Sequence, residues 1–149
     1  KGSGLMPKAA NGGKFLSYAD LKAQDPLYEV REPTREIELR LTGNMERYTW
    51  SLDGLEFGKS TPIHFSHNER VRIILHNDTM MTHPMHLHGV WSELESPTGE
   101  LQTRKHTISV QPAQRISFQL TADALGRWAW HCHLLFHMDA GMFREVVVT

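Results

Sequence analysis

The chain holds a single cysteine in 149 residues. No intramolecular disulfide can staple it, and bridge patterns say nothing of its redox compartment. No run of about 18 apolar residues is present, which excludes a transmembrane helix. Neither sign of charge dominates: Lys plus Arg number 16 against 17 Asp plus Glu, interspersed along the chain. A nucleic-acid binder would show a basic face, so that class is excluded. No signal peptide is visible; residues 1–4 read as a linker or a cut end, so a lost leader stays open.

What the chain does have is histidine. There are ten, and six of them fall in two short clusters, with Cys132 inside the second. Hydrophobic residues make up 40 %, with four Trp and six Phe, enough for one domain with one core. A lone cysteine among histidines is a candidate metal ligand or nucleophile.

Residues 1–33 carry little pattern. Gly2, Gly4, Gly12 and Gly13 with Pro7, Pro26 and Pro33 suggest a linker or extended segment, with a short helical turn within 18–24. From residue 34 the texture is that of one β domain, 34–149. Ile37, Leu39 and Leu41 alternate with Glu36, Glu38 and Arg40, the period of a strand. Further strands are expected over 47–52, 70–76, 85–94, 105–110, 114–120, 126–132 and 143–149, parted by turn signals such as Asp53-Gly54 and Pro97-Thr98-Gly99. About eight short strands with little helix predict an all-β fold, an antiparallel Greek-key β-sandwich.

Two motifs carry the chemistry: HPMHLHG at 83–89, and HCHLLFH at 131–137 followed by Met142. Successive side chains on a strand point to opposite faces. Cys132 therefore faces one way and His131 and His133 the other, which predicts two sites rather than one. A loop after the strand can return His137 and Met142 to the cysteine side. With one more histidine this gives two imidazoles, a thiolate and a weak thioether, the ligand set of a blue-copper electron-transfer site. His83 is the candidate for that histidine, set apart by a bend expected at Pro84. His86 and His88 share a face, and Gly89 permits close backbone approach beside the second site. Zinc is the competing metal for Cys and His ligands, but the Cys132-x₄-His137-x₄-Met142 spacing argues against it, because a thioether is a poor zinc ligand.

The other candidates have plainer readings. His64, His67, His76 and His106 read as surface or hydrogen-bonded residues, Met80 and Met81 as core, and Trp128 and Trp130 as packing rather than electron relays.

The two motifs resemble the C-terminal copper-binding signatures of multicopper oxidases. The stretch 35–148 is similar to the last cupredoxin domain of the bacterial copper-resistance branch, on the runs LTGNMERY at 41–48, NDTMMTHP at 77–84 and TADALGRW at 121–128. The resemblance implies that His83, Cys132 and His137 hold a type 1 copper with Met142 axial, that His86 holds the type 2 copper, and that His88, His131 and His133 hold the type 3 pair. It implies a periplasmic enzyme in which electrons from Cu(I) or phenolic reductants pass from Cys132 through its neighbours His131 and His133 to a trinuclear cluster that reduces O2 to water. In that family half of the cluster histidines come from an N-terminal cupredoxin domain in two further His-x-His motifs. Here His64 and His67 have the wrong spacing and no other pair exists. The expectation is a chain with half a cluster, whose partner is a missing cupredoxin domain of the same polypeptide or a separate subunit, and which alone turns over little. The alternatives are a stand-alone blue-copper electron carrier, which leaves His86, His88, His131 and His133 without a role, and a copper-binding module.

Overall fold

The computed structural model describes residues 12, 13 and 16–149. Among the described residues a 3-10 turn, Tyr18–Asp20, precedes eleven strands and one short helix. In chain order these are β1 (Arg35–Asn44), β2 (Thr49–Leu52), β3 (Ile63–Phe65), β4 (Arg70–Asn77), β5 (His83–Leu87), β6 (Ser92–Glu95), β7 (Leu101–Lys105), β8 (Thr107–Val110), β9 (Arg115–Thr121), β10 (Gly126–Cys132), α1 (Leu135–Asp139) and β11 (Phe143–Val148). They form two sheets, one ordered β2-β1-β4-β9-β6-β7 and the other β3-β11-β10-β5-β8.

The β-sandwich is as expected, with differences in detail. Pairing is mixed rather than wholly antiparallel, since β1 runs parallel to β4 and β3 parallel to β11. Strands number eleven rather than about eight. The short β3 lacks a full alternating run. The stretch 85–94 is two strands in different sheets, because Gly89 turns the chain at φ +83°. The stretch 101–110 is also two strands in different sheets, broken at His106.

The strand faces follow from alternation. On β4, Val71, Ile73 and Leu75 point into the sandwich and are fully buried. They meet Leu41, Phe118 and Leu120 of the same sheet and Phe65, Met85, Leu87, Val110, Trp130 and Val146 of the other in one core. Each such side chain contributes about 1.5–3 kcal/mol by leaving water. Trp130 is core and Trp128 packs against it, as the plain reading had them.

The outer face of the six-stranded sheet is charged, yet largely covered. Arg70 and Glu93 form an ion pair of 2.6 Å in which both side chains are buried. Arg72 reaches Glu95 at 2.9 Å beside it. Leu27 and Tyr28 of the segment before β1 lie against this side of the molecule: the Leu27 N–H donates to Glu93, and the Tyr28 ring sits 5.8 Å from the Arg70 guanidinium carbon. Tyr18 accepts a hydrogen bond from the Ser109 N–H. No helix among the described residues is long and apolar enough to cross a membrane.

Gly89 does not serve a second site, as its position suggested; it makes room for a ring. A Cβ there would lie 2.3 Å from Cδ2 of Trp128. Gly89→Ala should therefore cost about 1–2 kcal/mol for left-handed backbone plus about 1–3 kcal/mol for overpacking. Gly99 has a similar φ, +87°, but nothing within 4 Å, so Gly99→Ala should lose only the backbone part. Denaturant unfolding of both variants checks this, and equal losses would show that the Trp128 contact costs nothing.

Candidate metal centre

Register places the two histidine clusters back to back. β10 pairs with β5 so that Cys132 lies opposite Met85 and His131 opposite His86. The first pair points into the sandwich and the second out of it. His83 lies two residues before Met85 on the same strand, so it points inward too. Pro84 does not bend the chain, contrary to expectation: β5 runs through it in register with Ser109 of β8, and alternation alone separates His83 from His86.

His83, Cys132 and His137 converge in the interior, all buried, with their candidate ligand atoms within 4.8 Å of one another. Cys132 Sγ is 3.7 Å from Nδ1 of His83 and 3.7 Å from Nδ1 of His137, and the two Nδ1 atoms are 3.1 Å apart. His137 is carried by α1, a helical turn where a loop was expected. Gly141, at φ +117°, ends that turn and sends the chain into β11. Met142 is fully buried, and its backbone is bonded to both partners: Cys132 N–H donates to Met142 O, and Met142 N–H donates to His137 O.

A hydrogen-bonded chain fixes the state of His83. The Asn77 amide donates to the Met81 and Val110 carbonyls, which leaves its oxygen as acceptor. The Thr79 hydroxyl donates to that oxygen at 2.8 Å, so its own oxygen accepts from His83 Nε2–H at 2.7 Å. His83 Nδ1 therefore carries a lone pair, and it faces Cys132 and His137. Burial and the neighbouring His137 hold His83 down to about 4. Burial also lowers His137 and pushes the Cys132 thiol up to about 11. At neutral pH the metal-free trio is thus a thiol and two neutral imidazoles.

The outward group is looser. The ring of His86 lies 4.5 Å from that of His88 and 5.7 Å from those of His131 and His133, centroid to centroid. His88 Nε2 and His131 Nε2 are 3.0 Å apart. Two carbonyls set tautomers here: His86 Nδ1 donates to His106 O, which leaves a lone pair on its Nε2, and His131 Nδ1 donates to Cys132 O, so its Nε2 accepts from His88 Nε2–H. His131 stacks on Phe143 at 5.9 Å and 10°. His88 and His133 are exposed. The structure thus brings His83, Cys132 and His137 together in one place and His86, His88, His131 and His133 in another.

Several residues depart from their sequence reading. Met80 and Met81 are not core; they are 92 % and 41 % exposed, on the loop after β4. His106 is exposed, as read, and is also a neighbour of the outward group, its ring 5.3 Å from that of His86. His76 pairs with Glu38, and His64 and His67 are exposed, in line with their surface or hydrogen-bonded reading. Asn77, Thr79 and Trp50 surround the inner trio, and none had a sequence signal as such. Trp50 lies 33 residues upstream of the first histidine motif and reaches the site through packing of β2 against α1.

Residues 31–149 match the family model of the multicopper oxidases. The chain belongs to the multicopper oxidase family. It is 58 % identical over 140 residues to a copper resistance protein A homolog of Pseudomonas syringae pv. tomato, covering 93 % of this chain and 23 % of that protein. Copper resistance protein A of Escherichia coli is 57 % identical over 138 residues, with the same shares. Multicopper oxidase MmcO of Mycobacterium tuberculosis is 37 % identical over 111 residues, 74 % of this chain and 22 % of that one. The chain thus spans about a quarter of the length of these relatives. Among solved structures, a multicopper oxidase from Campylobacter jejuni superposes with a TM-score of 0.71 at 21 % identity, over 83 % of this chain and 32 % of that one, which shows the cupredoxin-type fold.

Two measurements test the inner trio. Metal-ligand histidines depend on the partner of their second nitrogen. Thr79→Val should weaken copper binding by about 10–100-fold while costing the metal-free fold only about 1 kcal/mol; an affinity within a factor of two of the parent would remove the role given to Thr79. Metal binding at pH 7 should release one proton, from the Cys132 thiol, because its value lies above 7 and that of His83 below. Apparent affinity should therefore rise about tenfold per pH unit around neutrality. Proton release on copper addition in weak buffer measures it, and zero or two protons would contradict the assignment.

Proposed function

We propose that this chain is the type 1 copper domain of a multicopper oxidase that acts in copper resistance. The observation that carries the proposal is Cys132, buried between two imidazoles, with both its chain neighbours directed to the opposite face of the sheet. In this reading His83, Cys132 and His137 would hold a mononuclear copper, with the Met142 thioether as a further, weaker ligand. His86 serves the type 2 copper, and His88, His131 and His133 serve the type 3 pair. The donor set fits: one soft sulfur anion and two imidazoles suit a metal that cycles between cuprous and cupric states, and a buried thioether favours copper over zinc. When bound, copper supplies one-electron redox chemistry at the inner site.

The rest is the work of the chain. Burial of the trio excludes water and further ligands. The Asn77–Thr79 pair holds His83 with its free Nδ1 toward Cys132. From Cys132 Sγ, covalent bonds run through Cβ and Cα and one peptide unit to His131 on one side and His133 on the other, so both faces of β10 are joined without a gap through space. His86 and His131 are held at Nδ1 by carbonyls, which leaves each a lone pair on Nε2, accepting from His88 in the case of His131. Reductants in this reading are Cu(I) or phenols and the acceptor is O2; the remaining cluster histidines come from another cupredoxin domain facing this one. We take 34–149 as the cupredoxin domain, 1–33 as a linker or extended segment before it, and the periplasm as its place of action. A stand-alone electron carrier would need only the inner trio and Met142, and the ordered tautomers of the outward group favour the oxidase.

Copper loading should give an intense blue thiolate-to-copper absorption, lost in Cys132→Ser with the fold retained. The chain alone should accept electrons from a phenol yet consume O2 only at background rate. A colourless copper-loaded chain would remove the type 1 assignment, and sustained O2 uptake by monomeric chain would remove the half-cluster reading.

A further inference from the structure

We infer that Trp50 is a positioning residue for the inner site: its indole holds the imidazoles of His83 and His137 in place and so sets the preference of the site between Cu(I) and Cu(II). The inference rests on the copper reading above. Trp50 lies on β2, in the other sheet from Cys132, and is almost wholly buried. Its ring centroid is 4.2 Å from that of His137, tilted by 32°, and 5.0 Å from that of His83 at 64°. The two imidazole centroids are 4.8 Å apart. Three rings thus close on one another, with the indole against both imidazoles.

The indole is itself fixed. Its cross-strand partner on β1 is Gly43, where a Cβ would lie 2.7 Å from Cε3 and 2.8 Å from Cζ3 of the ring. The Trp50 backbone is also tied to the ligand segment. Its N–H donates to Ala140 O at 3.0 Å, and a Cβ on Gly141 would stand 2.6 Å from its carbonyl oxygen. Side chain and main chain of one residue therefore both bear on the span from His137 to Met142. Thr79 restrains His83 by a hydrogen bond, and the indole face restrains His137 by contact. The indole Nε1–H is buried with no hydrogen-bond partner among the described residues. An apolar ring or aliphatic side chain would fill the core without that unsatisfied donor, so packing stability gives no reason for an indole here.

Cupric ion favours tetragonal arrangements of nitrogen and oxygen ligands, and cuprous ion favours soft ligands in lower coordination. Imidazoles that cannot swing withhold the cupric preference. Removing the wall frees them and admits water, and both effects favour Cu(II).

The test uses the full chain, copper-loaded, with Trp50→Leu, Trp50→Phe and Gly43→Ala. Trp50→Leu should lower the ratio of Cu(I) to Cu(II) affinity at least tenfold, which is about 59 mV of potential for one electron, and change the shape of the blue absorption. Trp50→Phe, which keeps an aromatic face, should recover most of the ratio. Gly43→Ala keeps the indole but displaces it, and should shift the potential in the same direction by a smaller amount, which decides the matter if Trp50→Leu does not fold. In the metal-free chain, NMR relaxation should show faster His137 ring motion in Trp50→Leu. Folded variants with lower thermal stability and unchanged potential, or equal shifts for Leu and Phe, would overturn the inference. A parent chain that is blue, with unaltered variants, overturns this inference alone; a parent chain with no blue band overturns the copper reading and this inference with it.

Discussion

Everything about the two histidine groups depends on the pairing of β10 with β5. The hydrogen-bonded register sets Cys132 opposite Met85 and His131 opposite His86. A pleated strand alternates faces at every residue, so this pairing sorts donors with no further device. A slip of one residue would carry Cys132 to the solvent face and bring His131 and His133 inside, exchanging the two sites. The slip is opposed by the apolar partners that share the inner face, Met85, Leu87 and Trp130, each buried in the common core. Core packing and donor sorting are therefore one constraint, imposed by the same hydrogen bonds.

The two faces then give their donors opposite surroundings. Inside, no water competes, the imidazoles lose affinity for protons, and the thiol holds its own. A neutral, preassembled trio avoids the cost of an unpaired buried charge. The Nδ1–Nδ1 distance of 3.1 Å shows how close the donors stand before any metal is considered. Outside, His88 and His133 are exposed, and carbonyls choose the tautomers of His86 and His131. One group is held by packing and the other by backbone hydrogen bonds, which suits a closed site and an interfacial one respectively.

Much of this was legible in the sequence because it follows from period two. The β-sandwich, the outward His131 and His133, and the inward Cys132 all come from alternation. What escaped is what alternation does not encode. Gly89 ends one strand and lets the next join the other sheet, so 85–94 read as one element. Pro84 suggested a bend, but its neighbours on β8 and β10 keep the strand straight, with His133 N–H donating to the Pro84 carbonyl. Thr79 and Asn77 act through hydrogen bonds that depend on the loop after β4, and Met80 and Met81, apolar by type, lie exposed on that same loop. Trp50 reaches His137 only because α1 packs against β2, a long-range contact invisible at residue spacing. His106 joins the outward group because β8 pairs with β5 and presents the His106 carbonyl to His86.

The outer faces of the two sheets differ in a way that bears on the proposed role. The six-stranded sheet carries charges with little exposure, the buried pair Arg70 with Glu93 and the partly buried Arg72 with the buried Glu95, and such groups are tolerated only when paired and shielded. Leu27 and Tyr28 supply part of that shield from the segment before β1. The five-stranded sheet carries histidines instead, and His88 and His133 stand open to solvent. Among the described residues this side holds four histidines together, with backbone carbonyls fixing the Nδ1 of only His86 and His131. If the outward group is half of a copper cluster, as proposed, the exposed rings of His88 and His133 are where ligands from another domain would meet it.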